Sequence, residues 1–182
     1  YEDEQLLHEG RNAMERERDY PPNKAIQRAL KTYKHRLLLI IGDPGSGKTT
    51  LMKYYALQCL QNEHVTLGFD QPRLPIFLPL RDVDPEKSLA ANLAEREKNR
   101  PHLLSESEIN TWLAERDTLI LLDGLDEVSQ IEERIEVCRW IERQCRDIGK
   151  AFFVVTSRWT GYRKADGIEL EVKHLRADVR DF

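Results

Sequence analysis

One stretch restricts this chain more than any other. Gly42-Asp-Pro-Gly-Ser-Gly-Lys-Thr49 follows a solid apolar run, Leu37 to Ile41, and precedes a helical pattern. It matches G-x-x-x-x-G-K-[ST]. Glycines let such a loop turn its backbone N–H groups inward around phosphate oxygens. The helix that follows aims its N-terminus at the same charge. Lys48 would then pair with the β- and γ-phosphates of a nucleoside triphosphate, and Thr49 would ligate Mg²⁺. Gly42, Asp43, Pro44, Gly45, Ser46, Gly47, Lys48, Thr49 and Thr50 are the candidate nucleotide-binding residues. ATP is preferred over GTP as the nucleotide.

Two further apolar runs end in chemistry. Leu119-Ile-Leu-Leu122 reads as a strand buried on both faces, and Asp123-Gly-Leu-Asp126-Glu127 follows it. Ligands bind at the carboxyl ends of strands in open parallel sheets, so Asp123 is expected beside the loop, holding Mg²⁺ directly or through water. Acids packed this closely beside a polyphosphate repel it unless a cation is present. One of Asp126 and Glu127 would orient or deprotonate the attacking water, with Glu127 preferred. The competing reading is an acidic helix start, where Asp and Glu are favoured anyway. Phe152-Phe-Val-Val155 is the third buried run and leads into Thr156-Ser-Arg158. Thr156 could bond the γ-phosphate or the water, and Arg158 could neutralise γ-phosphate charge and report its loss.

The remaining elements are read from periodicity and punctuation. Asn23 could cap a helix from Lys24 to Tyr33. A second helix, from Lys48 to about Gln61, would bury Leu51, Met52, Tyr55, Ala56, Cys59 and Leu60. Pro75 to Leu80 is strand-like, demoted by its prolines towards an edge or a short strand. Asp84 to Lys98 reads as an exposed helix. Ser105-Glu-Ser-Glu108 and Ser129-Gln-Ile-Glu132 have capping-box spacing. The first opens a helix burying Ile109, Trp112 and Leu113. The second opens one burying Ile131, Ile135, Cys138, Ile141, Cys145 and Ile148, with Gly149 as its C′ stop. Ile168 to Val172 alternates like an edge strand, and Leu175 to Phe182 reads as the start of another helix. Strands alternating with helices predict an α/β sandwich with a mostly parallel sheet.

Composition narrows the setting. The 182-residue chain fits one domain, 20–182, behind a charged extension, 1–19, read as an exposed helix or an arm. Its first residue, Tyr1, suggests a piece of a longer protein, and trimming of disordered residues would look the same. A formal net charge of −4 without a basic block gives no nucleic-acid signal, and no apolar run is long enough to span a bilayer. Cys59, Cys138 and Cys145 are too few and too odd for a disulfide framework, so they read as small packing residues of a reducing, cytoplasmic compartment. Trp112, Trp140 and Trp159 read as packing or rim residues, and Arg81-Asp82 as a surface pair.

Together, 42–51, 123–127 and 156–158 resemble the NACHT family of P-loop NTPases, within the STAND class of signalling ATPases. They look like its Walker A, Walker B and sensor 1, and Pro75 to Asp82 resembles its second strand. Asp-Gly-Leu-Asp-Glu is the specific part. The resemblance implies a P-loop NTPase three-layer sandwich with a five-stranded sheet of order 2-3-4-1-5, and a base-binding segment near Tyr20 to Ala25. It also implies a slowly hydrolysing switch that exchanges ADP for ATP, uses Mg²⁺ and gates homo-oligomerisation of a larger protein. The chain is expected to stop before the family's helical lid and winged helix. An autonomous phosphotransferase or a GTPase is the alternative. Against it stand the lack of an arginine-rich lid and of Asn-Lys-x-Asp after the loop. An AAA+ motor would carry Glu directly after Asp123, where this chain has Gly124.

Overall fold

The computed structural model describes residues 20–96 and 104–179. The elements are α1 (Pro22–Lys31), β1 (Leu37–Gly42), α2 (Lys48–Leu60), β2 (Leu74–Pro79), α3 (Leu89–Arg96), α4 (Glu106–Glu115), β3 (Thr118–Asp123), α5 (Ile131–Asp147), β4 (Ala151–Ser157) and β5 (Leu175–Val179). The five strands form one sheet in the order β2-β3-β4-β1-β5, every pairing parallel. This is the order expected above. The N-terminal extension, 1–19, lies outside the described residues.

The three apolar runs occupy the centre because only a strand covered on both faces tolerates an unbroken apolar sequence. Their side chains divide with period two. Leu38, Ile40, Leu119, Leu121, Phe152 and Val154 pack with Ala25, Ile26 and Ala29 of α1 and Met52, Tyr55 and Cys59 of α2. Leu37, Leu39, Ile41, Ile120, Leu122, Phe153 and Val155 pack with residues of α3, α4 and α5. Two helical layers thus enclose the sheet. Pro75 and Pro79 sit in β2, an edge strand, where a missing N–H leaves no ladder bond broken inside the sheet.

Several local expectations are corrected. The outer edge on the β1 side is β5, where a helix was anticipated, whereas Ile168 to Val172 forms no strand. Ile168 and Leu170 are buried against the α5 side of the core, so tertiary packing takes those side chains and the ladder goes to Leu175–Val179. α3 begins only at Leu89, and its Leu89, Ala90 and Asn92 are buried, not exposed. Before it, Asn92 accepts from the Asp84 N–H (2.8 Å) and donates to the Asp84 carbonyl (3.0 Å), which holds 84–88 as a turn. The last residues expected in that helix, 97 and 98, lie outside the described residues.

Caps differ too. The capping box at Ser105 is formed, both bonds present. That at Ser129 is not: α5 starts after Gln130 without a side-chain cap. α1 starts at Pro22, so Asn23 lies inside it and caps nothing. Gly149 follows the end of α5 without a left-handed φ. Arg36 does that work instead, donating to the carbonyls of Cys145 (2.8 Å), Ile148 (3.0 Å) and Gly149 (2.7 Å). Leu60, Ile131 and Trp112 face outward at 67%, 41% and 38% exposure, because each lies near a helix end or flank beyond the sheet. Trp140 is buried and donates Nε1–H to the Lys87 carbonyl.

Two outcomes follow from this core. Phe153 is fully buried in a central strand, so Phe153→Ala should cost about 3–5 kcal/mol in urea unfolding; a loss below about 1 kcal/mol would contradict the packing described. Burial pushes the Cys138 and Cys145 thiols up to about 12 and Cys59 to about 11. Native chain at pH 8 should therefore resist maleimide labelling, read by mass spectrometry, until it is unfolded.

Candidate nucleotide site

The sheet delivers β1, β3 and β4 side by side, so their carboxyl ends share one rim. From β1 the chain enters the glycine loop. Gly45 and Gly47 turn through the left-handed region (φ 82° and 86°), and a Cβ on either would meet nothing within 4 Å. Both glycines thus face open space, and the loop backbone there is left uncovered. α2 starts directly at Lys48, without a side-chain cap on its first N–H groups. Thr49 lies in its first turn and donates through Oγ1 to Asp123 Oδ2 at 2.9 Å. Hydroxyl and carboxylate so placed form a hard-oxygen donor set, which fits Mg²⁺.

Asp123 ends β3 and is gripped a second time. Thr156, fully buried at the end of β4, donates Oγ1–H to Asp123 Oδ1 at 2.5 Å and accepts the Gly124 N–H at 2.9 Å. Its hydroxyl therefore faces Asp123, not the open side of the rim. The Lys48 ammonium folds back onto the loop, donating to the carbonyls of Gly42 (2.7 Å) and Asp43 (2.8 Å). Burial pulls the ammonium below its ordinary value, with Arg158 adding to this, against Asp126, Asp123 and Asp43, which hold it up. Those same neighbours place Lys48 in the field of all three strand ends.

The two further acids have different surroundings. Asp126 accepts the Arg158 N–H at Oδ1 (2.9 Å) and pairs with Arg158 Nε through Oδ2 (3.0 Å); its side chain is only 10% exposed. Gly161 closes over it: a Cβ there would lie 2.2 Å from Asp126 Cβ. Arg134 of α5 holds the same turn through the Asp126 and Val128 carbonyls. Glu127 is more open, 41% exposed, and pairs with Arg81 Nη1 at 2.7 Å.

The candidate residues named in the glycine loop and at the ends of β3 and β4 gather at this rim, while the segment Tyr20 to Ala25 packs on the core beside α2, with Tyr55 donating to the Pro22 carbonyl. Gly161, Arg134 and Arg81 were not anticipated. Gly161 and Arg134 carry no local pattern that marks them. Arg81 was read as a surface pair with Asp82, and that contact exists at 3.8 Å, but the shorter bond goes to Glu127. The signal was its place just beyond β2, next to β3 in the sheet order.

This fold and rim define a P-loop NTPase core. A model described as "NACHT domain" matches residues 36–182. The chain belongs to the NACHT domain family, a nucleotide-binding NTPase module. None of the curated proteins compared matches it. Among solved structures, the Aeropyrum pernix Orc1 protein, solved in complex with DNA, is similar at 19% identity and a TM-score of 0.50, covering 88% of this chain and 43% of that one. C. elegans PCH-2 is similar at 16% identity and a TM-score of 0.48, covering 88% and 40%. AMPPCP-bound DnaA from Aquifex aeolicus has 17% identity and a TM-score of 0.40, covering 79% and 40%. The chain thus spans less than half the length of these structures.

The close approach at Gly161 yields a direct check. Gly161→Ala should cost about 1–3 kcal/mol by overpacking, read as a lowered unfolding midpoint. An unchanged midpoint would mean that Asp126 is not enclosed as described.

Proposed function

We propose that this chain is an ATP-binding, slowly hydrolysing switch module that gates oligomerisation of a larger protein. The Thr49–Asp123 hydrogen bond carries the reading, because it joins the phosphate loop to the acid at the next strand end but one. Gly42 to Thr50 would wrap the phosphates, and Lys48 would leave the loop carbonyls to meet the β- and γ-phosphates. Thr49 and Asp123 would hold Mg²⁺, which when bound neutralises charge developing on the phosphates. Glu127 would orient or deprotonate water; both acids pair with an arginine, but Glu127 is 41% exposed, whereas Asp126 is 10% exposed with both its oxygens engaged by Arg158. Arg158 would sense the γ-phosphate, and Thr156 would act through Asp123. Family membership and the buried free cysteines support a cytoplasmic signalling role. Among the described residues no helix is long and apolar enough to cross a membrane.

The test is a titration of the purified chain with ATP, ADP and GTP, with and without Mg²⁺, beside a turnover assay. ATP and ADP should bind in preference to GTP, with little turnover. GTP preference points to a GTPase, and rapid turnover by the chain alone to an autonomous enzyme. Lys48→Ala should lose triphosphate binding by tenfold or more, on the order of one charge-assisted contact. Glu127→Gln should bind normally and lose turnover; the same result from Asp126→Asn alone would reassign the base.

A further inference from the structure

Glu127 is exposed, and a flexible exposed carboxylate makes a poor general base unless something fixes it. Two contacts do so here. Gly124 stands in the left-handed region (φ 77°), and the place its Cβ would take is 2.9 Å from Glu127 Cδ and 3.0 Å from Cγ. The Glu127 side chain therefore lies across the bare face of Gly124. Its carboxylate then ends on Arg81 Nη1 at 2.7 Å.

Arg81 comes from the turn Leu80–Asp82, immediately after β2. Register fixes that turn beside the acid loop, since Pro79 pairs with Asp123 across β2 and β3. Leu80 is buried at 1% exposure and Val83 N–H bonds the Leu80 carbonyl, so the backbone that presents Arg81 is anchored from within. We infer that Arg81 is a positioning residue: it holds the Glu127 carboxylate over Gly124, and it acts on hydrolysis only through Glu127. The inference rests on the hydrolytic reading above. It also gives a second physical reason for glycine after Asp123, where a side chain would displace Glu127. An ion pair this exposed, at 58% and 41%, adds little to folding, so its removal leaves the scaffold intact.

The experiment compares wild type, Arg81→Ala, Arg81→Lys, Glu127→Gln and the Arg81→Ala, Glu127→Gln double variant. Single-turnover hydrolysis of radiolabelled ATP, Mg·ATP affinity and the thermal midpoint are read for each. Arg81→Ala should slow hydrolysis by roughly tenfold to a hundredfold, the scale of a misplaced catalytic group, with affinity and midpoint unchanged. Arg81→Lys should recover part of that loss. In the Glu127→Gln background, Arg81→Ala should change the residual rate no further. A fall in ATP affinity with Arg81→Ala, or an equal loss in both backgrounds, would overturn the inference and make Arg81 a phosphate contact. An unchanged rate would overturn it too. Wild type without turnover would instead sink the hydrolytic reading, and this inference with it.

Discussion

A single carboxylate ties the rim together. Asp123 accepts from Thr49 on one oxygen and from Thr156 on the other, so the loop after β1, the end of β3 and the end of β4 meet at one group. Remove the parallel sheet and none of these contacts exists, because the three segments are far apart in sequence. The sheet in turn depends on the apolar runs Leu37–Ile41, Leu119–Leu122 and Ala151–Val155 of β1, β3 and β4, which both helical layers can cover. The polar residues stand where each apolar run stops, with Thr156 and Ser157 still buried and Asp123 partly exposed.

Around Asp123 the charges fall into two pairs of unequal character. Asp126 and Arg158 form a nearly closed unit, joined by a backbone and a side-chain bond and walled by Gly161. While Arg158 stays in place, such an acid has no free oxygen to offer water. Glu127 and Arg81 form an open unit on the solvent side. Neighbouring acids thus separate by environment, one fastening two strand ends and the other presenting a carboxylate to the rim. Sequence alone could not divide them, since both follow Asp123 within four residues.

Much of this was legible from residue order. The glycine loop, the three buried strands, the prolines of the edge strand and the cap at Ser105 all carry local causes, and each appears where it was expected. The failures share one origin: competition won by distant residues. Gly149 lost its stop role to Arg36, which is remote in sequence. Ile168 and Leu170 alternate like a strand, yet their burial against α5 takes them out of the ladder, leaving the edge to Leu175–Val179. Arg81 looked like a surface residue because its partner, Glu127, is brought to it only by the β2–β3 register.

In the proposed reading, the contacts of Arg158 determine how a phosphate could be sensed. Its backbone N–H and its guanidinium both rest on Asp126. A γ-phosphate can compete only for the guanidinium, because the N–H belongs to the turn itself. The side chain could therefore swing while the backbone stays anchored, and Asp126 would keep one of its two partners. Lys48 faces the same choice between loop carbonyls and phosphate. For each cation the exchange trades one charge-assisted or ionic contact for another, while Asp126, only 10% exposed, would be left with the Arg158 N–H alone. Under that reading Arg158 and Lys48 each have two alternative sets of partners, and the cost of moving Arg158 is set by the carboxylate of Asp126 that it leaves behind.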